Sequence, residues 1–381
     1  MTGPLRPRES GAAAIFIVIF ASLLMIVVTL SFIKLMLSDQ SQATTNDLSQ
    51  SAYNSALSGV EDGKRLLLLQ QSCNGATPPP LATCAAANTA IAAGNCDTIA
   101  AGLATGAGSE SVVGTAALDQ AYTCVKITAD TLSYEKLLPM GQSQVIPLTS
   151  VSPFDSVIIS WFSQDDMSSG ATVNFPTADT TTPLPPADVW PVNAPPIVRA
   201  QFMQTGDSFK LADLDAARGA NATFLYPLKN SGFNTTTVPM PDISTSTRRI
   251  APPSGPAGVS CTAAFVAKYA CSVKIGYSSA AGGFASRNAF LRLNALYSDT
   301  HYSVQLFQGA VPVAFNGVQP VIDVTGRANN MFRRVLARVE LSGSFVYPEA
   351  AVDMKNDLCK NFSVTDTSYT PNTCDPTVQS P

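Results

Sequence analysis

From Ala12 to Ile33 the chain carries no charged side chain, and its apolar run is interrupted only by Ser22, Thr29 and Ser31. At about 1.5 Å per residue this run makes a helix roughly 33 Å long, enough to cross a hydrocarbon layer of about 30 Å. Further along, no proline occurs between Asp39 and Gln70, and Ala43, Leu48, Ala52, Ala56 and Val60 recur at or near every fourth position. That spacing marks one face of a helix. The pattern therefore predicts a single rod from about Ala12 to Leu69, with a membrane-spanning part over 12–37 and an extension over 38–71. Gly59 and Gly63 each cost such a helix about 1 kcal/mol relative to Ala, which points to a bend or a close helix contact there.

The pattern then loses its helical period. Between Ser72 and Gly114 Ala, Gly and Cys dominate, which predicts a loop-rich, Cys-rich region over 72–125. From Tyr122 onward short β-like runs follow one another. Val157, Ile159 and Trp161 alternate with Ser156, Ile158 and Ser160, as in a strand buried mainly on one side. Prolines and threonines between Val173 and Pro196 cannot continue a central strand, because proline lacks a ladder donor, so this stretch reads as a long surface loop. The reading gives a first β-rich region over 126–258, a second over 259–350 and a polar tail over 351–381. In the second, Val335, Ala337, Val339 and Leu341 form an apolar face at period two, with Arg334, Arg338 and Glu340 opposite. No helical pattern alternates with the strands. The expected fold class is α+β: a long N-terminal membrane-spanning helix, then a β-rich, disulfide-containing ectodomain of antiparallel sheets or a sandwich.

Charge sets the expected orientation. Arg6 and Arg8 precede the apolar run, whereas Lys34 and Asp39 follow it and roughly cancel. The positive-inside rule places the N-terminus in the cytoplasm and the rest outside a single-pass cell membrane. A cleaved secretory signal would have a shorter apolar region of roughly 7–15 residues. The 381 residues leave ample chain for a sizeable core, with a prior of two to three domains. Charged residues are only 13% and the net charge is −4, which argues against a nucleic-acid-binding surface. The pairs Arg248–Arg249 and Arg333–Arg334 read as solvated faces or strand ends.

All eight cysteines lie beyond the apolar run, at Cys73, Cys84, Cys96, Cys124, Cys261, Cys271, Cys359 and Cys374. An even set in an exported segment reads as disulfides. Proximity suggests Cys261 with Cys271 and Cys359 with Cys374. The first four then form two bridges in one of three pairings. A zinc site lacks its ligand pairs, since no C-x-x-C occurs and His301 is the sole histidine. No cofactor is expected.

Candidate chemistry is sparse. His301 has Asp299 nearby to orient it, but no G-x-S-x-G elbow marks a nucleophile, so the chain reads as a non-enzyme. Asp165–Asp166, and Asp213 with Asp215, offer oxygens to Ca²⁺ without the D-x-[DN]-x-[DN]-G loop, and read as solvated turn carboxylates. No phosphate-binding or dinucleotide fingerprint follows a strand, which excludes an assembly ATPase. Asn221, Asn234 and Asn361 stand in N-x-[ST] contexts and mark polar loops.

RESGAAAIFIVIF, the long apolar helix, and SQSAYNSALSGVEDGKR together resemble the opening of type IV minor pilins, with a PilX-type pattern the nearest. The residues that carry the likeness are Arg6, Arg8, Gly11, Ala52, Ala56, Glu61, Asp62, Lys64 and Arg65. VIDVTGRANNMFRRVLARVEL also looks like the late strands of such proteins. The resemblance implies a leader over 1–11, with Gly11 its last residue and Ala12 the first of the mature chain. Phe16 stands where major pilins place an acidic residue, which resembles minor, tip-located subunits. A membrane carboxylate is costly unless paired with the next subunit's amino terminus, so a terminal subunit does not need one. Ala12, Ala13, Ala14, Ala21 and Ser22 are then the residues expected at helix–helix contacts, where small side chains let backbones approach. The expected role is a structural subunit for pilus assembly or tip function, with surface adhesion as an output. Its partners would be the membrane, other pilin subunits, the assembly machinery and an extracellular surface ligand. The alternative is a permanently anchored cell-surface adhesin outside any pilus.

Overall fold

The computed structural model describes residues 11–73, 78–96, 98–103, 111–112, 119–176, 185–205, 222–229, 236–240, 256–277 and 288–340. They fall into two compact units, one holding the residues up to Ile127 together with Ile322–Ala337, the other Thr128–Val321 and the residues from Arg338 onward. The second unit is thus carried on a chain insertion into the first.

In the first unit, helix α1 runs unbroken from Gly11 to Ser72. From Ile15 to Leu37 its apolar beginning is exposed, with Phe16 at 73% and Phe20 at 71%. Burial starts near Leu48, and Ala52, Ala56, Val60, Leu66 and Leu67 are buried. Ala43, expected on this stripe, is exposed. Against this face lies a four-stranded sheet in the order β1 (Ser111–Val112), β2 (Gln120–Thr128), β14 (Val321–Ala328), β15 (Met331–Arg338), strands being numbered along the chain. Along β14, Ile322, Val324 and Ala328 are buried, and with Gly326 they make the apolar half of a period-two strand.

The small residues on α1 now have a reason. A Cβ at Gly326 would lie 2.1 Å from the Ala52 carbonyl oxygen and 2.4 Å from the Ala56 nitrogen, so strand and helix backbones touch there. Gly59 makes room for Val324 and Tyr122, and Gly63 for Ile322. The bend or close helix contact expected at these two glycines is therefore corrected: α1 is continuous there and the close contact is with a sheet. Asp62 also accepts the Tyr122 hydroxyl at 2.8 Å, which ties β2 to α1.

Residues 72–125 depart from the loop-rich expectation. α2 (Leu81–Ala93) starts after Pro80 and ends at Gly94, whose left-handed φ of 56° lets its N–H return to the Ile91 carbonyl. α3 (Thr98–Leu103) follows. Disulfides Cys73–Cys84 and Cys96–Cys124 fasten these helices to α1 and β2.

Among the described residues the second unit forms one eleven-stranded sheet. Its main path runs β13 (Val311–Val313), β12 (Thr300–Gln308), β5 (Ser156–Ser163), β10 (Tyr269–Tyr277), β9 (Ala257–Val266), β7 (Ala222–Lys229), β6 (Ile197–Thr205), β11 (Asn288–Leu296), β4 (Ser143–Pro147). β3 (Tyr134–Leu138) pairs with β12, and β8 (Thr236–Met240) with β10. Residues from both ends of the path, including Ile146, Trp161, Leu291 and Tyr302, share one buried cluster, so the sheet folds over a single core.

Two expectations are corrected. The sheet is mixed, since β7 with β9 and β8 with β10 are parallel. Strands from 126–258 and 259–350 also interleave, so these are not separate regions: β5 of the first lies between β10 and β12 of the second. Disulfide Cys261–Cys271 joins directly opposed residues of β9 and β10. The tail over 351–381, with Cys359 and Cys374, lies outside the described residues.

Candidate functional site

Two features stand apart from ordinary core and surface. One is the uncovered apolar half of α1, whose most apolar window has a mean hydropathy of 2.9. This helix is long and apolar enough to cross a membrane. Ala21 and Ser22 are exposed on it, and Ser22 spends its hydroxyl on the Ile19 carbonyl at 2.9 Å. Gly11 and Ala12 stand in the first turn; the side chains of Ala12, Ala13 and Ala14 are outside the described set.

The other is a polar cleft in the second unit, built where β5 ends and β12 begins. Phe162 takes a φ of 67° one residue before the end of β5, and Ser163, the last residue of the strand, caps a 3-10 turn over Gln164–Asp166. The Asp166 carboxylate accepts the Ser163 backbone N–H at 2.7 Å and the His301 backbone N–H at 3.0 Å. His301 Nδ1 lies 2.6 Å from the same carboxylate. Since a carboxylate can only accept, Nδ1 is the nitrogen that carries a proton toward Asp166, and in the neutral ring Nε2 is the acceptor. Asp166 is 3% exposed at its side chain and His301 40%, so a buried group holds an accessible ring.

Asp299 does not orient His301, because its Oδ1 accepts the Met140 N–H at 2.7 Å instead. Nor does Ser163 serve as a nucleophile for the ring, since its hydroxyl lies 3.2 Å from Asp166, in hydrogen-bond contact with that carboxylate. Among the described residues these contacts assemble no Ser-His-Asp relay. Asp166 is equally unsuited to Ca²⁺, because its oxygens are already occupied by donors. Among the described residues no three His, Cys, Asp or Glu side chains form a metal-binding group. Asp213, Asp215, Asn221, Asn234, Asn361, Arg248 and Arg249 lie outside the described residues.

The cleft has a volume of about 540 Å³, and Glu135, Asp165, Lys268, Tyr269, His301 and Arg338 are among the residues lining it. Arg338 pairs with Glu135 at 3.0 Å and donates to the Ser133 carbonyl at 2.8 Å. Lys136 pairs with Glu340 at 2.9 Å. Burial pushes the Tyr269 hydroxyl well above its ordinary value, with the Glu135 charge adding to the effect, so it remains a donor at neutral pH. Sequence distance hid this site: Asp166 is 135 residues from His301, and only the pairing of β5 with β12 brings the two together.

No family model, curated protein or solved structure matches the chain.

Proposed function

We propose that this chain is a non-enzymatic, membrane-inserted structural subunit of the type IV minor pilin kind, acting in pilus assembly or at a filament tip. One observation carries the reading: a single helix of 62 residues exposes its apolar first half and buries the small residues of its second half under β14 and β2. The first half would reside in the bilayer before assembly and among the helices of other subunits afterwards, with the N-terminus cytoplasmic and the β-rich units outside. The bulk of the second unit, inserted between β2 and β14, favours a terminal position over a repeating one, because a repeating subunit would have to accommodate it at every step. Surface adhesion through that unit is the proposed output.

The reading is tested by shearing filaments from cells that carry the chain and probing the filament fraction with an antibody to the second unit. Recovery with filaments in substoichiometric amounts, lost when the assembly ATPase is deleted, is the expected outcome. Retention of all the protein in the membrane fraction, with and without that ATPase, would leave the permanently anchored adhesin as the correct description.

A further inference from the structure

We infer that the cleft around His301 is a binding site for a neutral saccharide. The inference does not depend on whether the chain enters a filament. The cations on the walls are largely compensated: Arg338 is held by Glu135 and Lys136 by Glu340. Among the described residues Lys268 is the unpaired cation on these walls, and the unpaired Asp165 carboxylate on the same walls offsets it, so a strongly anionic ligand would gain little net charge attraction. An apolar ligand would strip water from His301, Asp165 and Lys268 without replacing their hydrogen bonds, which is costly.

A polyhydroxylated ring meets these walls better, because each hydroxyl both donates and accepts. His301 Nε2 and the Asp165 carboxylate accept, whereas the Lys268 ammonium and the Tyr269 hydroxyl donate. Asp165 and Lys268 have no side-chain ion pair among the described residues, so both are available to a ligand. The half-buried Phe265 ring lines the same cleft and offers an apolar surface to the C–H face of a sugar. The volume of about 540 Å³ suits a small ligand.

Backbone strain collects at the same place. Val266 and Tyr269 flank a two-residue hairpin turn in which Ala267 has a φ of 48° and Lys268 of 79°. Such turns favour Asn-Gly, so side chains are kept here against backbone preference. Phe265, at a φ of 46°, and Phe162 are strained beside them. Clustered strain of this kind accompanies ligand sites, where it presets side chains. The Cys261–Cys271 bridge staples the hairpin that carries Phe265 and Lys268.

His301 is the only histidine, so the NMR signals of its two ring nitrogens are assigned without ambiguity. The full chain, labelled with ¹⁵N-histidine in detergent micelles, would be titrated with glucose, galactose, N-acetylglucosamine and their disaccharides, and separately with inorganic phosphate. The expected result is a saturable shift of the Nε2 signal with at least one neutral sugar. Asp165→Asn combined with Lys268→Ala should weaken that affinity by roughly tenfold or more. Unchanged tryptophan fluorescence and thermal midpoint in the double variant would show that the fold is intact. Should the double variant lose its fold, Tyr269→Phe, which keeps the ring and removes one donor, serves as the second variant with the same expected direction. Absence of a shift with every sugar, a sugar shift indifferent to both variants, or saturation by phosphate alone would overturn the inference.

Discussion

Replacing Gly326 by Ala tests the join between helix and sheet. The added Cβ would lie 2.1 Å from the Ala52 carbonyl oxygen, 2.4 Å from the Ala56 nitrogen and 2.9 Å from the Ala56 Cα. All three are backbone atoms of α1, so no rotamer change relieves the clash. β14 must back away by more than an ångström, which also loosens Val324 against Gly59 and Ile322 against Gly63. Overpacking typically costs about 1–3 kcal/mol, and with backbone on both sides the upper end, about 3 kcal/mol, is expected. That is a large part of a total stability of about 5–15 kcal/mol. With about 1 kcal/mol moving the midpoint by roughly 3–5 °C, the transition should fall by about 10 °C. Far-UV circular dichroism of the full chain in detergent reports it, because the helices belong to the first unit, whereas Trp161 and Trp190 report the second by fluorescence. Because the obstacle is backbone, Ala52→Gly should not rescue the variant. A helical transition within about 2 °C of the parent would refute the close packing of β14 on α1.

Asp166→Asn would set an amide where four donors converge; we expect a loss of about 3 kcal/mol in the second unit, followed by tryptophan fluorescence in urea. The same variant should release His301 to a mixture of tautomers, visible in its ¹⁵N shifts, and an unchanged Nδ1–H signal would count against the carboxylate as its anchor. Opening the ten-residue separation of Cys261 and Cys271 with paired Ser substitutions should cost roughly 2–3 kcal/mol, read as a lower urea midpoint under non-reducing conditions. Tyr134 and Tyr269 both titrate above their ordinary value because burial disfavours the phenolate. With the folded value raised, their contribution is fully present below about pH 10 and is lost as pH rises toward the folded value. The urea midpoint of the second unit should therefore be flat from pH 7 to 9 and fall above about pH 10; a flat profile to pH 11 would contradict their burial.

How far the sequence could be read depended on how local each signal was. α1 was legible because a proline-free stretch with a repeating small-residue face needs no distant partner to be recognised. α2 was missed although Pro80 before Leu81 and Gly94 after Ala93 are helix-boundary residues, since the alanine- and cysteine-rich composition between them suggested a loop. What β14 faces, Ala52 and Ala56, lies some 270 residues earlier and had no signature beyond small size. The parallel pairings of β7 with β9 and β8 with β10 were hidden for a related reason, because period-two patterning fixes a strand's faces and not its neighbour. For the cleft, Asp299 drew the reading by standing two residues from His301, whereas the carboxylate that meets the ring comes from the end of another strand.

The measurement that bears most directly on the proposed role is the amino-terminal mass of the protein from its native membrane, taken with and without prepilin peptidase. A chain beginning at Ala12 only when the peptidase is present is the predicted result, and would place the exposed apolar half of α1 in the processing route of pilin subunits. A terminus at Met1 or Thr2 in both strains would contradict it and assign that half-helix to a permanent anchor.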